Sequence, residues 1–466
     1  MRPLPRSHAI LAALATLIGA CYVNDMEESA GNGARQDSGL HVTIEGNFIL
    51  NVDGSRVVTT ALLADRDGAS ATHLVGLEVP GLDALVGPSL DGASGLRVMQ
   101  TPDPDRAWLV TTRAGRLDVA PLALDAMTLG RSLTLPDIGV DGFNAANLAN
   151  DGRTLAVARV WAADALHKVL LGDVDGGALR GAWHDLDVTG ALFDLRFTGD
   201  GQRVVTLSVP VDGAGHFTAS AILAVHDLLA PGVPGEARVV TLDGFHLNLL
   251  GVLTWAIRLS PDGRLAAVSG RDDAGAGVTH VVDLDTGALF GSYPCEGPVG
   301  FGPDGATMVG FEREDDGRSS ALVVTDLASG VSETTPYGFA NPVYWLSPSG
   351  KRVVVYPFAG SGLVVTDLDT LESSAVGGGD GVALTEFAVS PDGDFVYLVY
   401  DGGLWLLDLE TAEVSALAPT TRGYDNINIL PGGDTLVLSR DGTTRFELFD
   451  LVSASVVAGA TLPTRL

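Results

Sequence analysis

The chain has 466 residues, 46% of them hydrophobic and 18% charged, with 28 Lys and Arg against 58 Asp and Glu for a net charge of −30. That length and apolar fraction allow a large buried core. The acidic balance repels phosphate backbones and argues against nucleic-acid binding.

The first element is an export signal over residues 1–20. Arg2 and Arg6 make a basic start, Ala9 to Ile18 an apolar run too short to span a bilayer, and Ile18-Gly19-Ala20-Cys21 its end. This end resembles the lipobox of bacterial lipoproteins. The resemblance implies cleavage before Cys21, a diacylglyceryl group on the Cys21 thiol and an acyl chain on its amine. Each buried methylene adds about 0.8 kcal/mol, so several chains hold a soluble domain on a membrane. Tyr22 follows the cysteine where an aspartate would, by the same resemblance, favour inner-membrane retention, so the expected address is the outer membrane. Residues 21–38 are polar and aperiodic and read as a flexible tether.

Residues 39–466 form one repeat domain. Four turns are clearest: Leu259-Ser260-Pro261-Asp262-Gly263, Gly302-Pro303-Asp304-Gly305, Leu346-Ser347-Pro348-Ser349-Gly350 and Val389-Ser390-Pro391-Asp392-Gly393. Proline pre-sets φ, Asp or Ser bonds to the local backbone, and glycine takes the left-handed position. A short β-branched or aromatic run follows each turn. A second apolar run then ends in an Asp-Leu pair: Asp283-Leu284, Asp326-Leu327, Asp367-Leu368, Asp408-Leu409 and Asp450-Leu451. The unit is strand, turn, strand, loop, strand, turn, strand.

Looser copies occur at Val52-Asp53-Gly54, Pro102-Asp103-Pro104-Asp105, Asn150-Asp151-Gly152 and Gly199-Asp200-Gly201, and one more at Pro431-Gly432-Gly433. Gly263, Gly305, Gly350, Gly393 and Gly433 are 42, 45, 43 and 40 residues apart, the ~40–45-residue period of a four-stranded propeller blade. The units resemble the WD-repeat-like repeats of TolB-type envelope proteins and of other bacterial propeller lipoproteins, strongly after Leu259 and weakly before it. The predicted fold is all-β, a single β-propeller of four-stranded antiparallel blades. Nine units can be counted, but propellers typically have four to eight blades, so the expectation is eight within a range of seven to nine. His41 to Glu45 alternates and is expected to close the ring by pairing with the last blade. Helix should be scarce beyond the signal.

No catalytic set is legible. No Gly-x-Ser-x-Gly elbow is present, and Ala359-Gly360-Ser361-Gly362 reads as a loop between strands. The histidines show no zinc spacing, although His167, His184, His216, His226 and His246 crowd the middle units, where neighbouring blades could bring some together at the ring centre. Asp65-Arg66-Asp67-Gly68 and Asp173-Val174-Asp175-Gly176-Gly177 lack the later ligands of a calcium loop and read as hairpin turns, and Glu312 to Gly317 as a solvated loop tip. Cys295, without a partner, reads as a buried small hydrophobe. No cofactor, metal or catalytic residue is expected. Lipidation at Cys21 is the one site residue assigned.

Gly201 and Gly263 are 62 residues apart, so the fourth unit is enlarged, by the stretches Pro210 to His216 and Ala230 to Trp255. These extra residues are either a binding element or an enlarged loop packed on its neighbour. The reading is a non-catalytic, lipid-anchored envelope protein that binds a protein or glycan partner. The alternatives are an enzyme working in the propeller channel, such as a lactonase-like hydrolase, and a purely structural surface lipoprotein. TolB-type resemblance implies peptidoglycan-associated partners, but this chain has no room for the extra N-terminal domain of that family.

Overall fold

A computed structural model describes residues 41–43, 49–64, 70–90, 93–113, 116–135, 143–160, 169–212, 217–247, 257–313, 318–340, 342–347, 349–357, 363–376, 384–400, 403–418, 423–440 and 445–462. The lipobox, the tether, the 359–362 loop, the 65–68 turn, His167 and His216 lie outside these residues.

Nine antiparallel sheets follow one another along the chain, and each is built from consecutive strands, with the N-terminal strand His41–Thr43 added to the second. They are blade 1 (49–89), blade 2 (93–129), blade 3 (143–186), blade 4 (191–243), blade 5 (245–293), blade 6 (296–340), blade 7 (342–376), blade 8 (384–418) and blade 9 (424–461). Blades come to nine, the top of the expected range and one more than the favoured eight. The degenerate N-terminal units are therefore regular blades whose turns have drifted. None of the described residues is helical.

The turn chemistry explains why each blade starts as it does. In blade 5 the Ser260 hydroxyl donates to Asp262 Oδ1 (2.6 Å) and accepts from the Leu265 amide (2.8 Å), while Asp262 Oδ1 accepts from the Arg264 amide (3.1 Å). Gly263 closes the turn at φ +68°, and its amide donates to Ser260 O (2.8 Å). The Asp-Leu pair serves the turn between the third and fourth strands. The Asp caps that turn: Asp283, Asp326 and Asp450 accept the amides of Thr286, Ser329 and Ser453 at 2.8, 2.7 and 2.6 Å. The Leu buries between blades, as Leu284, Leu327 and Leu409 do. The acidic Asp173 to Gly177 segment is such a turn as well, with Asp173 paired to Arg153 (2.9 Å) and Asp175 to Arg180 (3.6 Å).

Alternating strand directions put the turn between first and second strands and the turn between third and fourth strands of every blade on one face of the ring, here called the turn face. The loops between second and third strands and the links between blades lie on the opposite face. On the turn face, successive blades interlock. A β-carbon on Gly152 would lie 2.6 Å from Pro102 Cδ, one on Gly263 3.3 Å from Thr198 Cβ, one on Gly433 3.3 Å from Pro391 Cδ and one on Gly54 2.5 Å from Pro431 Cδ. Gly350 likewise abuts Pro303. Asn51 Nδ2 donates to Pro104 O (2.9 Å), and Asn150 Nδ2 to Gly199 O (3.0 Å). Glycine is required here because its neighbour's turn fills the space a side chain would take.

Arginines near the start of second strands add a further tie. Arg56 pairs with Glu78 on its own blade (3.2 Å) and donates to Leu124 O on blade 2 (2.5 Å). Arg203 pairs with Asp227 (3.1 Å) and with Asp285 on blade 5 (2.5 Å). Arg352 pairs with Asp367 and donates to Leu409 O on blade 8 (3.1 Å).

Two expectations are corrected. His41–Thr43 forms a strand, but it pairs with Ala93–Gln100, the first strand of blade 2, and not with blade 9. The ring closes instead by side-chain packing: Leu50, Val57, Val75 and Leu77 of blade 1 bury against Val437, Phe446 and Leu448 of blade 9. Blade 1 supplies its own inner strand, Ile49–Leu50, so no strand is missing for the N-terminus to replace.

The enlargement is also not confined to blade 4. Part of it is a long outer hairpin, Ser220–Ala230 and Val233–Asp243, whose turn packs on blade 3. There Gly232 N donates to Thr154 Oγ1 (3.2 Å), and Gly232 sits against the backbone of Gly172 and Asp173. The rest interrupts the first strand of blade 5. Phe245–His246 and Ile257–Leu259 both pair with Leu265–Asp272, and residues 247–256 intervene.

Candidate functional site: the channel wall

The first strands of successive blades lie against one another and so form the wall of the central channel. Two features mark this wall. The strand His41–Thr43 adds to the inner edge of blade 2, with His41 opposite Met99 and Thr43 opposite Arg97. The inner strand of blade 5 is broken, as described above. The channel-facing edge of an inner strand carries main-chain N–H and C=O groups that lie outside its own blade's ladder, and such an edge can accept an extended segment by main-chain hydrogen bonding. Blade 2 has accepted one.

Polar side chains recur at fixed places on the wall. Asp194, Glu386 and Asn426 each stand seven residues before their turn glycine (Gly201, Gly393, Gly433). At each, the pairing register shifts, between Leu192 and Asp194, Leu384 and Glu386, and Tyr424 and Asn426. A bulge of this kind re-aims a side chain. Arg196, Arg258 and Asn428 stand five residues before theirs, and all three are buried.

Hydrogen bonds make several polar side chains of the wall fasteners between blades. Asn147 Nδ2 donates to Leu195 O (2.7 Å), linking blades 3 and 4. Asp194 Oδ2 accepts the Ile257 amide (2.9 Å) across to blade 5, and Asp194 also pairs with buried Arg196 (3.4 Å). Gln100 Nε2 donates to Leu50 O, linking blade 2 to blade 1. Another buried group lies in blade 9, where Glu447 accepts from Tyr424 Oη (3.1 Å) and Arg440 (2.5 Å), and the Arg440 guanidinium lies 5.0 Å from the Tyr424 ring centre.

Sequence reasoning passed over the wall residues because it read the turns alone. Counting back five and seven positions from each turn glycine would have exposed them.

Among the described residues, the histidines of the middle units are not brought together. His184 is on the outer strand of blade 3, His226 and His280 are on third strands of blades 4 and 5, and His246 is on the broken inner strand. His246 Nε2 lies 3.0 Å from Asp273 Oδ1, and His280 packs on Phe245 with ring centres 4.8 Å apart. Burial lowers the His226 and His280 pKa values. Among the described residues no three His, Cys, Asp or Glu side chains are grouped to hold a metal. Cys295 is buried, its thiol pushed up to about 11 by that burial, with Sγ 3.4 Å from Thr279 Oγ1.

Nine consecutive sheets, seven of four strands and two of five, with converging first strands define the class: the chain is a β-propeller of nine blades. No protein-family model matches it, and no curated protein is similar. Among solved structures it is similar in fold to hydrazine synthase of Kuenenia stuttgartiensis, at 13% identity and a TM-score of 0.41 over 68% of this chain and 94% of that one. It is similar also to the dihydro-heme d1 dehydrogenase NirN in complex with DHE, at 14% identity and a TM-score of 0.49 over 88% of this chain and 73% of that one. At these values neither likeness bears on chemistry.

Proposed function

We propose that the chain is a binding or scaffold protein of the bacterial cell envelope, anchored by lipid on Cys21, that engages a protein or glycan through its channel wall or a ring face without catalysis. The observation that carries the binding reading is the strand His41–Thr43 on the inner edge of blade 2: the wall takes up an extended segment by main-chain pairing. The ties from Asn147, Asp194 and Gln100 to neighbouring blades support a structural role for those polar groups.

Photo-crosslinking in the native cell tests the reading. A photo-reactive residue replacing Thr189, at the opposite-face mouth of the channel, is expected to yield a discrete adduct with an envelope component. The same residue replacing Leu229, at the outer hairpin tip, is expected to yield less. No adduct at Thr189, or equal adducts at both positions, would overturn it.

A further inference from the structure

The direction of the N-terminal strand carries information that its pairing alone does not. Ala93–Gln100 runs toward the turn at residues 101–105, and the two strands are antiparallel. His41, opposite Met99, is therefore at the turn-face mouth of the channel, and Thr43 is deeper. Ile49–Leu50 enters blade 1 heading toward the turn face, as every first strand does, and so runs opposite in direction to His41–Thr43. Had Ile49–Leu50 been the first strand of the chain, the N-terminal segment would approach from the opposite face.

We infer that the segment between Cys21 and His41 leaves the ring through the turn-face mouth, so that in the anchored protein the turn face is toward the bilayer and the opposite face is presented away from it. This rests on the lipid-anchor reading of Cys21. The twenty residues from Cys21 to His41 reach at most about 70 Å, and an inner strand of seven or eight residues spans about 25 Å. Passing a bilayer on the opposite side would draw the segment across the face and around the rim, with the loss of conformational freedom that stretching imposes.

Charge opposes close approach. The turn face carries Asp53, Asp151, Asp200, Asp262, Asp304 and Asp392, which anionic head groups repel. The screening length at physiological ionic strength is about 8 Å, far below the reach of the segment, so repulsion sets a stand-off distance and the exit point sets which face is turned down.

Two measurements test this. Gly199 and Thr189 flank one inner strand, Ala191–Phe197, at its turn-face and opposite-face ends, and both are exposed. In the mature full-length chain carrying Cys21→Ser, spin labels on Ser38→Cys with Gly199→Cys, and on Ser38→Cys with Thr189→Cys, give two distances. The first is expected to be shorter by on the order of 20 Å. Equal distances, or the reverse order, overturn the exit through the turn-face mouth.

The second measurement uses the lipidated chain on vesicles of phosphatidylethanolamine and phosphatidylglycerol bearing a head-group acceptor dye. A donor on Gly199→Cys is expected to transfer more energy than one on Thr189→Cys. Equal or reversed transfer overturns the orientation. Failure of the lipidated chain to bind vesicles sinks the anchor reading and the orientation with it, while the spin-label distances still report the exit route.

Discussion

Gly54 and Pro431 meet across the seam of the ring: a β-carbon on Gly54 would lie 2.5 Å from Pro431 Cδ, so the turns between the first and second strands of blades 1 and 9 are in direct contact. Gly54 is also at φ +73°. Gly54→Ala therefore carries two costs, the left-handed backbone, about 1–2 kcal/mol, and displacement of a proline ring. Gly275, at φ +82° on an exposed loop with nothing within 4 Å of a β-carbon, carries only the first. In denaturant unfolding, Gly54→Ala is expected to be the more destabilising by ~1 kcal/mol or more. Equal losses would mean that the turn contact is not part of the closure.

The seam is held by packing and not by a shared strand. Phe446, fully buried between blades 9 and 1, is expected to cost about 3–5 kcal/mol on truncation to Ala. Deleting residues 39–46 removes three paired residues at an inner edge and leaves the seam cluster in place. Its midpoint is expected to fall less than that of Phe446→Ala, and a larger fall would show that the N-terminal strand does close the ring.

Arg203 joins blade 4 to blade 5 through Asp285, with the Arg side chain 24% and the Asp side chain 43% exposed. At that exposure a pair contributes at most about 1 kcal/mol. A double-mutant cycle of Arg203→Ala and Asp285→Ala is expected to give a coupling no larger than this, shrinking as salt is raised. A salt-independent coupling of several kcal/mol would contradict the screened-pair description.

His226 is buried with its Nδ1 3.4 Å from Gly235 O, and burial lowers its pKa. A lowered histidine stays neutral in the native state while the unfolded chain binds a proton, so its contribution to stability is complete above the unfolded value, about 6.5. It is lost progressively as pH falls below that toward the folded value. Asp227, whose carboxylate is held low chiefly by its hydrogen bond from Arg238, loses its contribution only below about pH 4. The urea midpoint of wild type is expected to fall between pH 7.5 and 5.5, and that of His226→Gln to fall less. Parallel declines would remove His226 from the account.

What the residues alone settle here is local. A blade is a run of hairpins between neighbours in sequence, so Ser260-Pro261-Asp262-Gly263 and the Asp283-Leu284 pair announce its turns without reference to anything distant. Even the looser units at Val52-Asp53-Gly54 and Pro102-Asp103-Pro104-Asp105 are countable from their turns, and only a general expectation of propeller size sets one of them aside. The tertiary structure decided everything that runs between blades. The docking of His41–Thr43 on blade 2, the break in the inner strand at His246 and Ile257, the contact of Gly54 with Pro431 and the use of Asp194 and Asn147 as fasteners all join residues far apart in sequence. A forty-residue period describes the unit and is silent on which edge of which unit meets another, because that choice is made by packing around the ring.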